Sequence, residues 1–123
     1  MRQRVVWFDV PARDLERALR FYTAVLGGGV RRQQFGEVTV GLFVDADDQP
    51  IGALAVADDF HPSTDGVMLY FSVEGRLRDA VEAARAAGGI IQRDVHAIGP
   101  YGFRAEIVDS EGNGIALHAG TDA

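Results

Sequence analysis

Six side chains in this sequence carry chemistry suited to holding or transforming a small molecule: Trp7, Asp9, Tyr70, Arg104, Glu106 and His118. A carboxylate beside an imidazole can shuttle a proton, so Glu106 with His118 is a candidate acid–base pair and Asp9 a further oxygen donor. Trp7 offers a flat surface on which a planar or cationic ligand can stack. His61, next to Pro62, and His96, ahead of the turn-rich stretch Ala97-Ile98-Gly99-Pro100-Tyr101-Gly102, read as loop residues, the latter placed to flank a cavity mouth. The chain has no cysteine, which removes disulfides, thiolate metal sites and cysteine nucleophiles. No Ser-His-Asp order, zinc spacing or nucleotide fingerprint is present. Gly27-Gly28-Gly29 follows a helical pattern rather than opening one, so it lacks the N–H geometry of a phosphate cradle.

These side chains are far apart in sequence, and only the fold can bring them together. Val5 to Val10 is a short β-rich run ended by Pro11. Asp14 then stands as an N-cap for a helix whose apolar face is Leu15, Ala18, Leu19, Tyr22, Val25 and Leu26. Gly27 ends it in the usual left-handed way. Val30 to Phe35, Glu37 to Val44 and Ile51 to Ala57 read as three strands separated by Gly36 and by Asp45 to Pro50. The polar stretch Asp58 to Asp65 reads as a linker. The order then repeats: a strand over Val67 to Val73, a helical face of Leu77, Ala80, Val81 and Ala84 stopped by Gly88-Gly89, and strands over Ile90 to Val95, Gly102 to Val108 and Gly114 to Ala119. Trp7 falls over Met68 and Leu15 over Leu77, so the chain reads as one domain over 1–123 made of two duplicated βαβββ modules, about 1–58 and 66–123.

Composition agrees with a single core. The chain has 123 residues, 47% of them hydrophobic, and no apolar run long enough to cross a bilayer. The start, Met1-Arg2-Gln3-Arg4, leads into an apolar stretch too short for a secretory signal, which makes a cytoplasmic location the expectation. A net charge of −6 disfavours a nucleic-acid partner and, read over the whole chain, suits a cationic ligand.

The stretch from Trp7 to Tyr22, with Asp14-Leu15, Phe21-Tyr22 and then Leu26-Gly27, resembles the first strand and helix of the vicinal oxygen chelate superfamily, which includes glyoxalases, bleomycin-resistance proteins and extradiol dioxygenases. Asp109-Ser110-Glu111-Gly112-Asn113 is similar to that family's Asp-Pro-Glu-Gly-Asn turn, with serine in place of proline. The resemblance implies an α+β fold in which two βαβββ modules form a curled eight-stranded mixed sheet, a cup with helices on its outer face. It also implies a homodimer and a ligand inside the cup.

Strand alternation maps that cup. Val6, Phe8, Val10, Leu54, Val56, Val67, Leu69, Phe71, Val73, Phe103, Ala105, Ile107, Ile115 and Leu117 are expected under the helices. Val5, Trp7, Asp9, Ala53, Ala55, Ala57, Met68, Tyr70, Ser72, Arg104, Glu106, Ala116 and His118 are expected to face the concavity. Metal-dependent members of the family take His or Glu from the first, fourth, fifth and eighth strands, and by resemblance those places fall on Trp7, on Ala55 or Ala57, on Met68 and on Ala116. None offers a hard or borderline donor, so neither a metal nor another cofactor is expected.

Two classes of function follow. One is a metal-free protein that binds or sequesters a small organic molecule, with Trp7 and Tyr70 as aromatic walls and Asp9, Arg104, Glu106 and His118 as polar contacts. The other is a lyase or dioxygenase-like enzyme with an atypical metal or acid–base site built from Asp9, Glu106 and His118, each within a two-residue step, roughly 6.6 Å, or one strand of a family position. A third alternative is a partner-binding module whose cup is closed by dimerisation.

Overall fold

Asp14, held extended, accepts a hydrogen bond from the Arg17 backbone N–H and starts helix α1 (Leu15–Leu26), which stops where Gly27 turns left-handed at φ 75° and donates its N–H to Thr23. Ala18, Phe21, Tyr22 and Val25 form its buried stripe. Strand β1 (Phe8–Pro11) precedes it, and β2 (Val30–Phe35), β3 (Val38–Val44) and β4 (Pro50–Ala55) complete the first module. The second module repeats the order as β5 (Leu69–Ser72), α2 (Leu77–Ala86), β6 (Ile90–Ala97), β7 (Phe103–Val108) and β8 (Gly114–Ala119), with a 3-10 turn at Gly99–Tyr101. This computed structural model describes residues 3–123, so Met1 and Arg2 of the charged start lie outside it. Among the described residues no helix is long and apolar enough to cross a membrane.

Each module forms its own four-stranded sheet, in the orders β1-β4-β3-β2 and β5-β8-β7-β6. The first strand of each runs parallel to the fourth, and the remaining pairs are antiparallel. The expected eight strands are therefore present as two hydrogen-bonded halves. Aromatic packing joins them: the Phe71 ring of β5 lies 5.3 Å from Phe43 of β3, 5.5 Å from Tyr22 of α1 and 5.9 Å from Phe8 of β1. Gly52 makes this possible, because a Cβ there would come within 2.7 Å of the Phe8 ring and carbonyl. Lacking it, Phe8 and Phe43 meet at 5.4 Å across the β4 backbone that separates them.

Three residues expected under the helices are outside the core: Val6 is 79% exposed, Val56 53% and Val67 90%. Ladder ends explain all three. Continued one residue at a time, the β1–β4 register would set Val6 against Pro50, which has no N–H to offer, and β1 starts at Phe8. Val67 would fall opposite Asn113, a turn residue, so β5 starts at Leu69. Val56 lies just past the Pro11–Ala55 pair, where the chain leaves β1 and turns away towards α1. Val5, expected to face the cup, likewise precedes β1 and is exposed.

Candidate functional site

In the second sheet, register decides which side chains share the face turned away from the helices. Tyr70 and Glu106 both pair with Ala116; Arg104 and Ser72 both pair with His118; His96 pairs with Arg104 and Arg93 with Glu106. Four of the six side chains singled out from sequence, Tyr70, Arg104, Glu106 and His118, thus converge on one face, with Arg104 at the centre. Its Nε donates to His96 Nε2 at 3.0 Å, its Nη1 donates to the Tyr70 hydroxyl oxygen, and its Nη2 lies 3.9 Å from Glu106 Oε1. The guanidinium carbon sits 5.9 Å from the Tyr70 ring centroid, within cation–π range. Arg93 approaches the other Glu106 oxygen at 3.4 Å. Glu106 is therefore an ion-pair partner, flanked by two guanidiniums.

The hydrogen bonds also fix which nitrogens carry protons. His96 Nδ1 lies 2.8 Å from the Asp94 carbonyl, which can only accept, so Nδ1 is the donor and Nε2 offers its lone pair to Arg104. His118 Nε2 lies 2.6 Å from the Tyr101 carbonyl and donates to it, pinning the turn at Gly99–Tyr101 against β8. Tyr70, Arg104 and His118 then line a hollow of about 450 Å³ whose other walls are Ile98 and Tyr101. That size suits a small organic ligand.

Trp7 and Asp9 are elsewhere. Trp7 Nε1 donates to Asp9 Oδ1 at 3.1 Å, and this pair stands on the first module, where Asp9 is opposite Ala53. Asp9 borders a separate gap of about 220 Å³ between β1 and β5, shared with His61. By alternation, the first sheet's matching face carries Arg31, Gln33 and Phe35 of β2 with Val38, Val40, Leu42, Ile51, Ala53 and Ala55. Phe35 and Val38 on it are exposed. One module thus gathers charged side chains at the middle of its face, while the other is mainly apolar with Arg31 and Gln33 on its β2 edge and Asp9 on β1.

The sequence placed His96 in a loop, but β6 continues two residues past Val95 and puts it across from Arg104. Alternation across β6 and β7 carries that signal once the strand is allowed to run to the Gly99-Pro100 turn. Tyr101 was readable only as part of that turn.

The donor set does not fit the family's metal. Trp7, Ala55 or Ala57, Met68 and Ala116, the positions the resemblance assigns, supply indole, methyl and thioether groups, and Ala116 is fully buried. Among the described residues no three His, Asp or Glu side chains come together as an alternative. Glu106 and His118 sit diagonally across β7 and β8 with Arg104 facing His118, and Asp9 belongs to the other sheet.

The resemblance also drew attention to the turn at 109–113, and there the structure places a buried polar clamp. Asp109 Oδ1 accepts from the backbone N–H groups of Glu111, Gly112 and Asn113, while Oδ2 accepts from Asn113 Nδ2 and from the Tyr22 hydroxyl. Asn113 Nδ2 also donates to the Pro11 carbonyl. Glu111, its side chain wholly out of solvent, accepts from the N–H groups of Arg13 and Asp14, from Arg17 and from Ser110. Burial by itself would raise the Glu111 pKa; the hydrogen bonds from Arg17, Asp14, Ser110 and Arg13 outweigh it and hold the group at about 2. Desolvation, followed by the Asp109 charge, pushes the Tyr22 hydroxyl well above its ordinary value, so it stays a donor. The turn of the second module therefore secures the N-terminus of the first module's helix.

Comparison with known proteins agrees with this architecture. A glyoxalase/bleomycin resistance protein from Albidiferax ferrireducens T118 superposes with a TM-score of 0.71 at 20% identity, covering 93% of this chain and 96% of that one. A glyoxalase/bleomycin resistance protein/dioxygenase domain from Frankia sp. EAN1pec gives 0.70 at 21% identity over 100% and 96%. A family enzyme of the same description from Burkholderia phytofirmans PsJN gives 0.70 at 16% identity over 94% and 97%. At these identities the likeness concerns the fold. No curated protein matches the sequence. The family model of the Glyoxalase/Bleomycin resistance protein/Dioxygenase superfamily matches residues 4–117, nearly the whole chain, and the protein belongs to that superfamily.

Proposed function

We propose that this protein binds a small organic molecule against the polar face of its second module, without the family's metal, as a carrier or sequestering protein. The observation that carries the reading is the hollow of about 450 Å³ in which Tyr70, Arg104 and His118 meet Ile98 and Tyr101. Apolar and aromatic walls with a few convergent polar groups are what orient a ligand of this size. Tyr70, Arg104 and His118 supply the polar side, with Glu106 beside Arg104 on the same face; Trp7 and Asp9 enter only where a second wall faces the first. That wall is the reason to expect a homodimer: the exposed Phe35 and Val38 at the β2–β3 turn, and the exposed Trp7 and Ile51 at the opposite end of the same face, give it apolar surface that a second copy can cover. Sedimentation at micromolar concentration gives the association state, and a strict monomer removes this part of the reading.

Binding is tested by following backbone amide signals during titration with a library of cationic, neutral and anionic aromatic fragments. Saturable shifts confined to Tyr70, Ile98 to Arg104 and His118 are expected. A library-wide absence of such shifts overturns the proposal. So does stoichiometric metal in the purified protein that is lost in His118→Ala, which would restore the lyase or dioxygenase-like alternative with its atypical site.

A further inference from the structure

The hydrogen-bond directions within the hollow restrict what can occupy it, and we infer that its ligand is an anionic aromatic molecule of the carboxylate class, bound through Arg104 and the Tyr70 hydroxyl. This rests on the small-molecule reading above and adds the charge and shape of the occupant.

Three observations carry the inference. First, the Tyr70 oxygen accepts from Arg104, so its own O–H must point elsewhere; among the described residues it meets no acceptor, and Tyr70 borders the hollow. Secondly, Arg104 is oriented from two sides, by His96 on Nε and by Tyr70 on Nη1, yet a guanidinium has five N–H donors, so further donors remain on Nη1 and Nη2. Arg104 is thus held as a fork rather than spent. Thirdly, the guanidiniums of Arg93 and Arg104 flank Glu106, leaving this face locally positive although the whole chain carries −6. An excess of donors calls for a ligand that presents acceptors, and two coplanar oxygens match a guanidinium edge.

The walls supply the rest. Tyr70 and Tyr101, two aromatic residues, line the same hollow, and Ile98 adds an aliphatic one. A flat ring bearing a carboxylate fits both requirements, whereas an ammonium in the same place would meet donors and a fixed cation, the one neighbouring carboxylate, Glu106, being already held between Arg93 and Arg104. The whole-chain charge therefore misleads about the ligand. It acts over many ångströms and is screened within about 8–10 Å by physiological salt, while the contacts that select the occupant are made at about 3 Å.

The experiment compares benzoate, benzamide and benzylammonium, which share a ring and differ in the charged group, by amide-signal titration of the full chain. Benzoate is expected to bind at least tenfold more tightly than benzamide, with benzylammonium weaker still, and to shift Tyr70, Tyr101 and His118. Arg104→Gln should erase the preference for benzoate over benzamide, and Arg104→Lys should keep only part of it, because the charge survives without the fork. Tyr70→Phe should weaken benzoate several-fold and benzamide less. Unchanged amide spectra of the free variants establish that they fold; should one fail, the ranking in the unaltered protein decides alone. Benzylammonium equal to or tighter than benzoate at these residues overturns the anionic assignment and leaves the small-molecule reading standing. Benzoate affinity indifferent to Arg104→Gln in a folded variant also overturns it. If none of the three compounds perturbs the hollow, the aromatic-carboxylate assignment fails, and the wider fragment library decides the reading beneath it.

Discussion

The turn joining β3 to β4 and the turn joining β7 to β8 begin alike. Asp45 Oδ1 accepts from the N–H groups of Asp47 and Gln49, and Asp109 Oδ1 accepts from those of Glu111, Gly112 and Asn113. Their fates differ. The first stays on the surface, with Asp48 paired to Arg31 in solvent. The second is buried and reaches across to α1 through Glu111 and through Asp109, which accepts from Tyr22, and to β1 through Asn113, which donates to Pro11. Duplicated elements thus keep the same local hydrogen bonding while only one copy is recruited to hold the modules together. Their concave faces diverged in parallel, one towards mainly apolar side chains and the other towards Arg93, His96, Arg104 and Glu106.

The largest test of this asymmetry is Glu111→Ala. It strips Arg17 and two backbone N–H groups of their buried acceptor, and a loss of about 3–5 kcal/mol is expected in urea unfolding. Asp45→Ala, the matching position of the exposed turn, should cost about 1 kcal/mol. Similar costs at the two would break the comparison. Acid probes the same clamp without mutation. Glu111 titrates near 2 when folded against an ordinary 4.5, so its contribution is complete above pH 4.5 and disappears as pH falls towards 2. The shift corresponds to about 3 kcal/mol, and Glu111→Gln should remove that part of the acid dependence.

Gly52→Ala sharpens the contrast in the core. Its module-two counterpart is Ile115, since Phe8 pairs with Gly52 as Leu69 pairs with Ile115. A methyl group at 52 collides with the Phe8 ring and with backbone, and a cost of about 2 kcal/mol in thermal or urea unfolding is expected. Helix starts come next. Asp14→Ala should cost about 1 kcal/mol, because Asp14 caps α1 through Arg17. Arg76, at the equivalent place before α2, makes no side-chain cap and instead donates to the Val25 carbonyl at the end of α1. Arg76→Asp should therefore destabilise α1 while giving α2 a cap, with a smaller net change. The smallest effect is expected at Asp48, a non-glycine residue at φ 61°: Asp48→Gly relieves the strain but loosens the unfolded chain, for a net of a few tenths of a kcal/mol.

Sequence pattern captured the repeat because apolar spacing is a local property. Asp14, Gly27, the stripe of Ala18, Tyr22 and Val25, and most strand boundaries could be read from it. What it misread depends on partners. Val6, Val56 and Val67 have strand-forming side chains but no ladder to join, and His96 belongs to a strand whose end is set by its pairing with β7. The convergence of Tyr70, Arg104, Glu106 and His118 was visible because alternation places same-face residues of neighbouring strands together. That Trp7 and Asp9 stand apart was not, because the relation between two sheets leaves no periodic mark in either.

Glu111 lies 97 residues beyond Asp14, whose N–H it accepts. During synthesis the first helix emerges long before its anchor, and no local rearrangement can supply a substitute. Closing that distance makes the anchoring of α1 depend on a contact of long sequence separation, the kind that is slow to form because a long loop must close first. Loss of the chain from residue 111 onward would therefore unseat a helix that begins at Leu15.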